Sequence, residues 1–364
     1  MNRLRWTLSI AAILLAGSLI TFDAYWHWHD SSPGTRDTVL SAMPSNASAV
    51  LFADLKELRG SPFASELYNW IPKSQVDADY AQFLRATDFD YERDLDRVAI
   101  SVIKEGEDSK LFAIAEGRFD RKKIEAYSSQ SGTHESRSGR EIFSVPLNEN
   151  TRKLSFTFLS KNGIAVTDAG DLVPLLAPPS NSSDTRDWHE RFARVAGSPL
   201  FAIMRQDAAA GSALASRTPG GFQSPQLSAL LNQLQWISLA GKPEESALRI
   251  VAEGECANEQ TSRQLSDLLS GILVLAQAGL NGPQTRQQLD PRLRDAYLDI
   301  IKGADVSRLD RGDTKSVRLV FDVTSQFLTA VSAAVPAAPP PVAPVIPASK
   351  TPARKARSQK AVHN

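Results

Sequence analysis

Five acidic side chains at alternate positions form the pattern in this sequence most suggestive of chemistry. They are Asp88, Asp90, Glu92, Asp94 and Asp96. Such spacing suits Ca²⁺, because this hard cation takes six to eight oxygen ligands. An EF-hand loop starting at the first of them needs glycine at its sixth position and glutamate at its twelfth, where the sequence has arginine and alanine. The five residues remain calcium candidates, and the alternative that we favour is a capped short helix or turn before a strand.

Other reactive residue types stand without the partners that catalysis or metal binding requires. His27 and His29 alternate with two tryptophans and could hold a surface metal, but no carboxylate or thiolate cluster completes that site. Ser101 and Lys104 match a Ser-x-x-Lys motif, yet they fall on opposite faces of a predicted strand, which separates a nucleophile from its base. The sequence contains no Gly-x-Ser-x-Gly elbow and no glycine-rich phosphate loop. We therefore predict no catalytic residue, no cofactor and no metal, apart from the calcium candidates.

The single cysteine limits the chemistry further. With Cys256 alone, the chain can form neither an intramolecular disulfide framework nor a Cys-rich zinc or iron–sulfur site. Glu253 and Glu255 precede this cysteine, and their charges disfavour a thiolate and so would raise the thiol pKa. We predict a packed or loop residue here.

The charges are balanced in total but segregated along the chain. Of 364 residues, 41 are basic and 41 acidic, which argues against a dedicated nucleic-acid-binding protein. Residues 1–22 carry two arginines and no acid, and residues 323–364 carry five cations and no acid. Without those seven cations, residues 23–322 hold 34 basic and 41 acidic residues, a net charge of −7. The two ends therefore face a different environment from the body.

The amino-terminal segment predicts a membrane anchor within residues 1–30. Arg3 and Arg5 precede residues 6–22, which contain no charge and would span about 26 Å as a helix. The aromatic residues that follow favour a membrane–water interface. The arginines place the amino terminus in the cytoplasm and the body outside it. A signal peptide cleaved near residues 16–18 is the alternative, but that cut would leave an apolar new terminus.

Three short matches in the same order suggest an internal duplication. Residues 49–53 match residues 198–202 at an offset of 149, while residues 99–102 and 115–117 match later segments at a common offset of 137. The difference of 12 residues falls in a loop of the first copy. We predict two related units.

The periodicities predict an α+β fold. Residues 154–158 and 317–323 alternate apolar and polar side chains, as in half-buried strands. Ser61 and Pro62 start a predicted helix. A long apolar stripe, Leu265 to Leu280, predicts a helix that packs in the core, with a membrane-binding or partner helix as the alternative. Each unit should be a mainly antiparallel sheet with helices on one face. The predicted units are residues 43–179 and 198–334, with a linker at 180–197 and a tail at 335–364.

The tail predicts disorder. Residues 333–352 hold seven of the 21 prolines, and proline donates no backbone hydrogen bond. The five cations suggest a tether to an anionic envelope polymer or membrane surface, worth about 1 kcal/mol each near anionic lipid. A plain spacer is the alternative.

Two further segments carry a recognisable pattern. Pro44 to Leu55 contains Ala-Val-Leu-Phe-Ala-Asp-Leu, and Phe89 to Val98 contains most of the alternating acids. Together with the anchor, these segments resemble membrane-anchored exported bacterial proteins of unknown function with a duplicated α+β body. The resemblance implies location and architecture and brings no catalytic motif.

We therefore expect a single-pass envelope protein that residues 6–22 anchor in the cytoplasmic membrane. Its body, outside that membrane, would have a non-enzymatic binding or scaffolding function. A carrier or chaperone for an apolar ligand is the first alternative, because a sheet covered by helices can enclose a cavity. An envelope hydrolase with paired carboxylates is the second. A deep apolar pocket would favour the carrier, and two convergent acids in a cleft would favour the enzyme.

Overall fold

One antiparallel sheet of twelve strands is the framework of the protein. The computed structural model describes residues 39–70, 78–105, 108–147, 152–176, 183–206 and 232–334. The strands are β1 Ala47–Asp54, β2 Leu95–Glu105, β3 Asp108–Gly117, β4 Thr133–Arg137, β5 Arg140–Leu147, β6 Arg152–Phe158, β7 Gly163–Thr167, β8 Leu200–Arg205, β9 Leu234–Pro243, β10 Ala247–Cys256, β11 Asp305–Arg311 and β12 Thr314–Thr324. Their order across the sheet is β11-β12-β10-β9-β8-β1-β2-β3-β7-β6-β5-β4.

Besides the helical residues 39–41, ten α-helices accompany these strands in the described part of the chain, together with a 3₁₀ turn at Val173–Leu176. They are α1 Leu55–Arg59, α2 Pro62–Trp70, α3 Ala78–Thr87, α4 Tyr91–Asp94, α5 Arg121–Ser131, α6 Ser183–Val195, α7 Glu259–Asn281, α8 Pro283–Gln288, α9 Pro291–Gly303 and α10 Ser325–Ala334. The α+β class with a large antiparallel sheet is confirmed. The predicted start of α2 is also confirmed, because Pro62 is its first residue and the Ser61 hydroxyl accepts from the Ala64 amide at 3.4 Å.

The two predicted units join into this one sheet at β1 and β8. These strands pair antiparallel along five residues, with Phe52 opposite Phe201 and Val50 opposite Ile203. The two phenylalanine rings stack with 5.1 Å between their centroids. Large apolar side chains thus fill the junction, and the core continues from one half of the chain into the other.

Helices cover both faces of the sheet, whereas the sequence predicted one. Val50 and Phe52 pack in a cluster with Trp188 and Phe192 of α6. Ala53, the next residue of the same strand, points to the opposite face and packs with residues of α1. Because both faces of the central strands are apolar, each face needs a covering layer. Helix α6 supplies one of these layers from within the predicted linker at 180–197, so part of that linker is a core helix.

The strand order of the two halves corresponds when counted outward from the β1–β8 pair. One side reads β1, β2, β3, β7, β6 and the other reads β8, β9, β10, β12, β11, with β5 and β4 added at the end of the first. The three sequence matches fall on β1 with β8, β2 with β9, and β3 with β10. This order agrees with a duplication, which itself stays a prediction.

Two predicted segments lie outside the described residues: the anchor at 6–22 and the tail at 335–364. Among the helices that the structure describes, none combines the length and the apolar character needed to cross a membrane. The predicted anchor is therefore untested.

Candidate functional site

The alternating acids form a capped turn in front of β2. Asp90 caps α4, its carboxylate accepting from the Glu92 amide at 2.9 Å. The Asp94 carboxylate accepts from the Asp90 amide at 3.0 Å and so bonds back to the residue that caps the helix. Asp96 pairs with Arg59 at 2.8 Å. The expected capped short helix is therefore present at the calcium candidates.

Separate cations and hydroxyl groups, rather than one shared centre, contact the remaining carboxylates of this turn: the Tyr91 hydroxyl donates to Glu92, and Lys123 lies 3.8 Å from Asp88. Arg93 binds Asp94 at 2.7 Å, and Arg118 lies 3.5 Å from the same carboxylate. Burial alone would raise the pKa of Asp94, but the hydrogen bonds from Arg93 and the Asp90 amide outweigh it and lower that pKa. Asp88 is exposed and has a positive φ of 56°. In the described part of the chain, no three His, Cys, Asp or Glu side chains form a group that could hold a metal.

Gly117 offers a test of how tightly this turn packs on β3. A Cβ atom built there would lie 2.3 Å from the Asp94 carbonyl oxygen, and that backbone cannot move freely because the Arg118 amide donates to the same oxygen. We expect Gly117→Ala to lower the free energy of unfolding by about 1–3 kcal/mol, as overpacking does. Gly303→Ala is the matched control, since nothing lies within 4 Å of its added Cβ. Equal urea midpoints for the two variants would contradict this packing.

Two other candidate nucleophiles are engaged in the core. Ser101 is fully buried and its hydroxyl donates to the Phe112 carbonyl at 3.2 Å. Cys256 is buried, and burial raises the pKa of its thiol to about 11. The direction agrees with the sequence prediction, but the cause is desolvation rather than the preceding glutamates. Glu253 and Glu255 are an odd number of positions from Cys256 along β10, so their side chains lie on the opposite face of the sheet.

Glu255 is the first of two buried carboxylates on that other face of β10. It is 5% exposed and lies beneath α6, where Arg194 binds it at 2.8 Å and Arg191 also donates to it. The Arg191 guanidinium lies 3.9 Å from the ring centre of Trp236, and Arg205 lies 4.9 Å from the same ring. The aromatic ring and the carboxylate together compensate the buried cation.

Glu253, the second buried carboxylate, is 7% exposed. It accepts hydrogen bonds from Arg311, from the Ser316 hydroxyl at 2.9 Å and from Arg318 at 3.1 Å. Burial alone would raise the pKa of Glu253, but the bonds from Arg311 and Ser316 outweigh it, so the pKa is lowered. A carboxylate held ionised by arginines is a poor proton donor at neutral pH. We assign this Arg–Glu network to the packing of α6 and the β11–β12 hairpin on β10.

Helix α7 carries a different kind of surface. Asn258 caps its first turn, accepting from the Thr261 amide at 2.9 Å. Leu265 packs against Leu234, Cys256 and Val317 of the sheet. Beyond the first two turns no residue of this helix is buried. The stripe packs on the core at Leu265 and, partly buried, at Leu269, whereas Leu275 is 71% exposed, which differs from the predicted core packing.

The distal half of α7, defined as residues 268–281, is uncharged and apolar except for one stripe formed by Ser270, Gln277 and Asn281. Nine of its 14 residues are Leu, Ile, Val or Ala, and none is Asp, Glu, Lys or Arg. Val274 and Leu275 are 65% and 71% exposed. Large apolar side chains are normally buried. In this half Leu269 packs against the core beneath the helix, whereas Val274 and Leu275 remain exposed.

A groove runs beside this half of the helix. Its volume is about 390 Å³. Helix α7 forms one wall, and the end of α9 with the start of β11 forms the other. The lining residues are Ser270, Leu273, Val274, Gln277, Ile301, Lys302, Ala304 and Val306. We call the distal half of α7 the apolar surface; the groove beside it also exposes the polar groups of Ser270, Gln277 and Lys302. The sequence analysis considered this stripe but did not predict its exposure. The signal in the sequence that could have indicated it is the absence of charge over 14 consecutive residues.

Comparison with known proteins yields a distant likeness of architecture. No family model matches the chain, and no curated protein matches it. Crystal forms III and IV of TP0453 match with a TM-score of 0.43 each and identities of 10% and 12%, over 81% and 83% of this chain and 98% and 100% of that chain. Crystal form I of TP0453 matches with a TM-score of 0.41 and 10% identity, over 84% of this chain and 99% of that chain. These values carry no functional argument, and the resemblance to exported bacterial proteins stays a prediction.

Proposed function

We propose that this protein is a single-pass envelope protein that presents a non-enzymatic binding body, and that the apolar surface is its binding site. The observation that carries the proposal is the distal half of α7, where 14 uncharged residues include Val274 and Leu275 at 65% and 71% exposure. Exposed apolar area of this kind is typical of interaction sites. The engagement of Glu253 and Glu255 by arginines supports a structural role for the buried acids.

Two finer features belong to the same proposal. The charge-free residues 6–22 would anchor the body at the cytoplasmic membrane, with the amino terminus inside. The two halves of the sheet would derive from one duplicated unit, an idea supported by the corresponding strand orders on either side of β1 and β8. In this arrangement the second copy gained the long helix α7 where the first has the 11-residue α5.

A carrier for an apolar ligand is the second candidate function, and the groove favours it. Its volume of about 390 Å³ falls within the range of small-molecule sites, about 300–1,000 Å³. Leu273 and Val274 on one wall face Ile301 and Val306 on the other. A carrier would seat an apolar molecule there, whereas a docking body would present the whole length of the helix.

Photocrosslinking in cells tests the proposal. Full-length protein with a photoreactive side chain at Val274 should form adducts well above those formed from Glu135, an exposed residue of β4 at the opposite edge of the sheet. We expect more adducts from position 274 because a binding partner would remove this apolar surface from contact with water. Adducts with small apolar molecules alone would favour the carrier. Equal adduct yields from positions 274 and 135 would remove the apolar surface as a binding site.

A further inference from the structure

Building on the proposed function, we infer that the occupant of the apolar surface is an anionic lipid surface, on which the distal half of α7 lies in the plane of the membrane. The five cations of the tail at 335–364 would add electrostatic attraction to the same lipid surface. The inference rests on the composition of this helix, on its length, on where the chain leaves the described body and on the charge of the segment that follows.

The composition of the distal half of α7 suits the apolar boundary of a lipid layer. Residues 268–281 contain no charge, and the polar residues Ser270, Gln277 and Asn281 fall within about 40° of one another around the helix. The exposed side next to them is apolar and carries Val274, Leu275 and Ala278. Val274 projects opposite to Leu265, which faces the sheet, because nine residues at 100° each give a half-turn offset.

The length of this segment indicates how it would meet the membrane. Fourteen residues span about 21 Å as a helix, which is short of the hydrocarbon core of about 30 Å. No helix among the described residues is suited to cross a membrane. An apolar segment of this length can instead lie at the boundary between headgroups and acyl chains.

Helix α10, the last described element, lies on the same face of the sheet as α7. Helix α10 ends at Ala334, and its Leu328 packs with Leu248 of β10. Leu265 of α7 packs with Cys256 of the same strand. Positions 248 and 256 differ by an even number of residues, so both helices lie on one face of the sheet.

Charge and tethering favour the same occupant. The tail carries five cations and no acid, so its attraction to an anionic surface adds to the burial of the apolar helix, and two such signals together give stable membrane association. The predicted anchor ends at residue 22 and the described body begins at residue 39. The intervening chain reaches at most about 60 Å, which holds the body near the bilayer.

Depth-dependent quenching tests the inference on the full-length protein. The Leu275→Cys variant is labelled with an environment-sensitive fluorophore and mixed with vesicles of phosphatidylcholine, with or without phosphatidylglycerol. The vesicles also contain nitroxide-bearing lipid, which quenches a fluorophore that enters the bilayer. The native Cys256 stays unlabelled because its thiol is buried with a pKa of about 11. Glu135→Cys is the matched control at the far edge of the sheet. Val274→Cys serves as a second reporter.

We expect quenching at positions 274 and 275 to be several-fold stronger than at position 135, and strongest in vesicles with phosphatidylglycerol at low salt. Replacing the five cations of the tail with glutamine should weaken it. Quenching at position 275 no stronger than at position 135 would overturn the inference. Energy transfer between labelled copies without nitroxide quenching would assign the surface to a second copy and also overturn it. If adducts with proteins form in cells while lipid quenching is absent, the proposed binding function survives and the lipid assignment fails.

Discussion

Phe52→Ala should lower the free energy of unfolding by about 3–5 kcal/mol, the usual cost of truncating a buried phenylalanine. Phe52 is 1% exposed and stacks on Phe201 across the junction of β1 and β8. The cavity would open where the two halves of the sheet meet. Relaxation around it is limited because both strands are internal strands of the sheet. We therefore expect the whole sheet to lose stability as one cooperative unit.

Urea unfolding of the full-length chain in mild detergent checks this result. Trp188 and Trp236 report on the junction, because both belong to the same core cluster as Phe52. Leu275→Ala is the matched control: that side chain is 71% exposed, and surface truncations usually change stability by less than about 0.5 kcal/mol. A Phe52→Ala protein as stable as this control would show that the junction contributes little.

Glu253→Gln should cost about 3 kcal/mol, the lower end of the range for breaking a buried ion pair. The lower end applies because Arg311 and Arg318 keep 30% and 36% of their side chains exposed. The substitution keeps the shape of the side chain but leaves these guanidinium groups without their anion. Glu244→Gln is the control, since its pair with Arg249 lies at the surface and such pairs are worth at most about 1 kcal/mol.

The same variant should flatten the acid limb of the stability profile. The pKa of Glu253 is lower in the folded protein than in the unfolded chain, where glutamate titrates near 4.3. Its contribution is therefore complete above that unfolded value and is lost as the pH falls through the folded pKa. Urea midpoints measured from neutral pH down to the onset of acid unfolding should fall less steeply for Glu253→Gln than for the parent. Parallel profiles would mean that other carboxylates set the acid sensitivity.

Local sequence determined several elements of this protein. The alternation in residues 154–158 and 317–323 corresponds to β6 and β12, because successive side chains of a strand point to opposite faces of the sheet. The polar side chains of Ser155 and Thr157 are nevertheless buried, so the sequence did not predict the covering of that face. Ser61 and Pro62 mark the start of α2. Asp90 and Asp94 form the expected cap, since the bonds involved join residues two to four positions apart. Each of these signals lies within one turn or one strand.

The tertiary structure decided the rest. No local pattern states that β1 pairs with β8, that α6 covers a second face of the sheet, or that Glu253 meets Arg311 from 58 residues away. The clearest case is α7. Its apolar stripe predicts burial along the whole helix, yet Leu269 is only partly buried and Leu275 is exposed. Periodicity specifies which face of a helix is apolar, but only the packing of neighbouring elements determines how much of that face is covered.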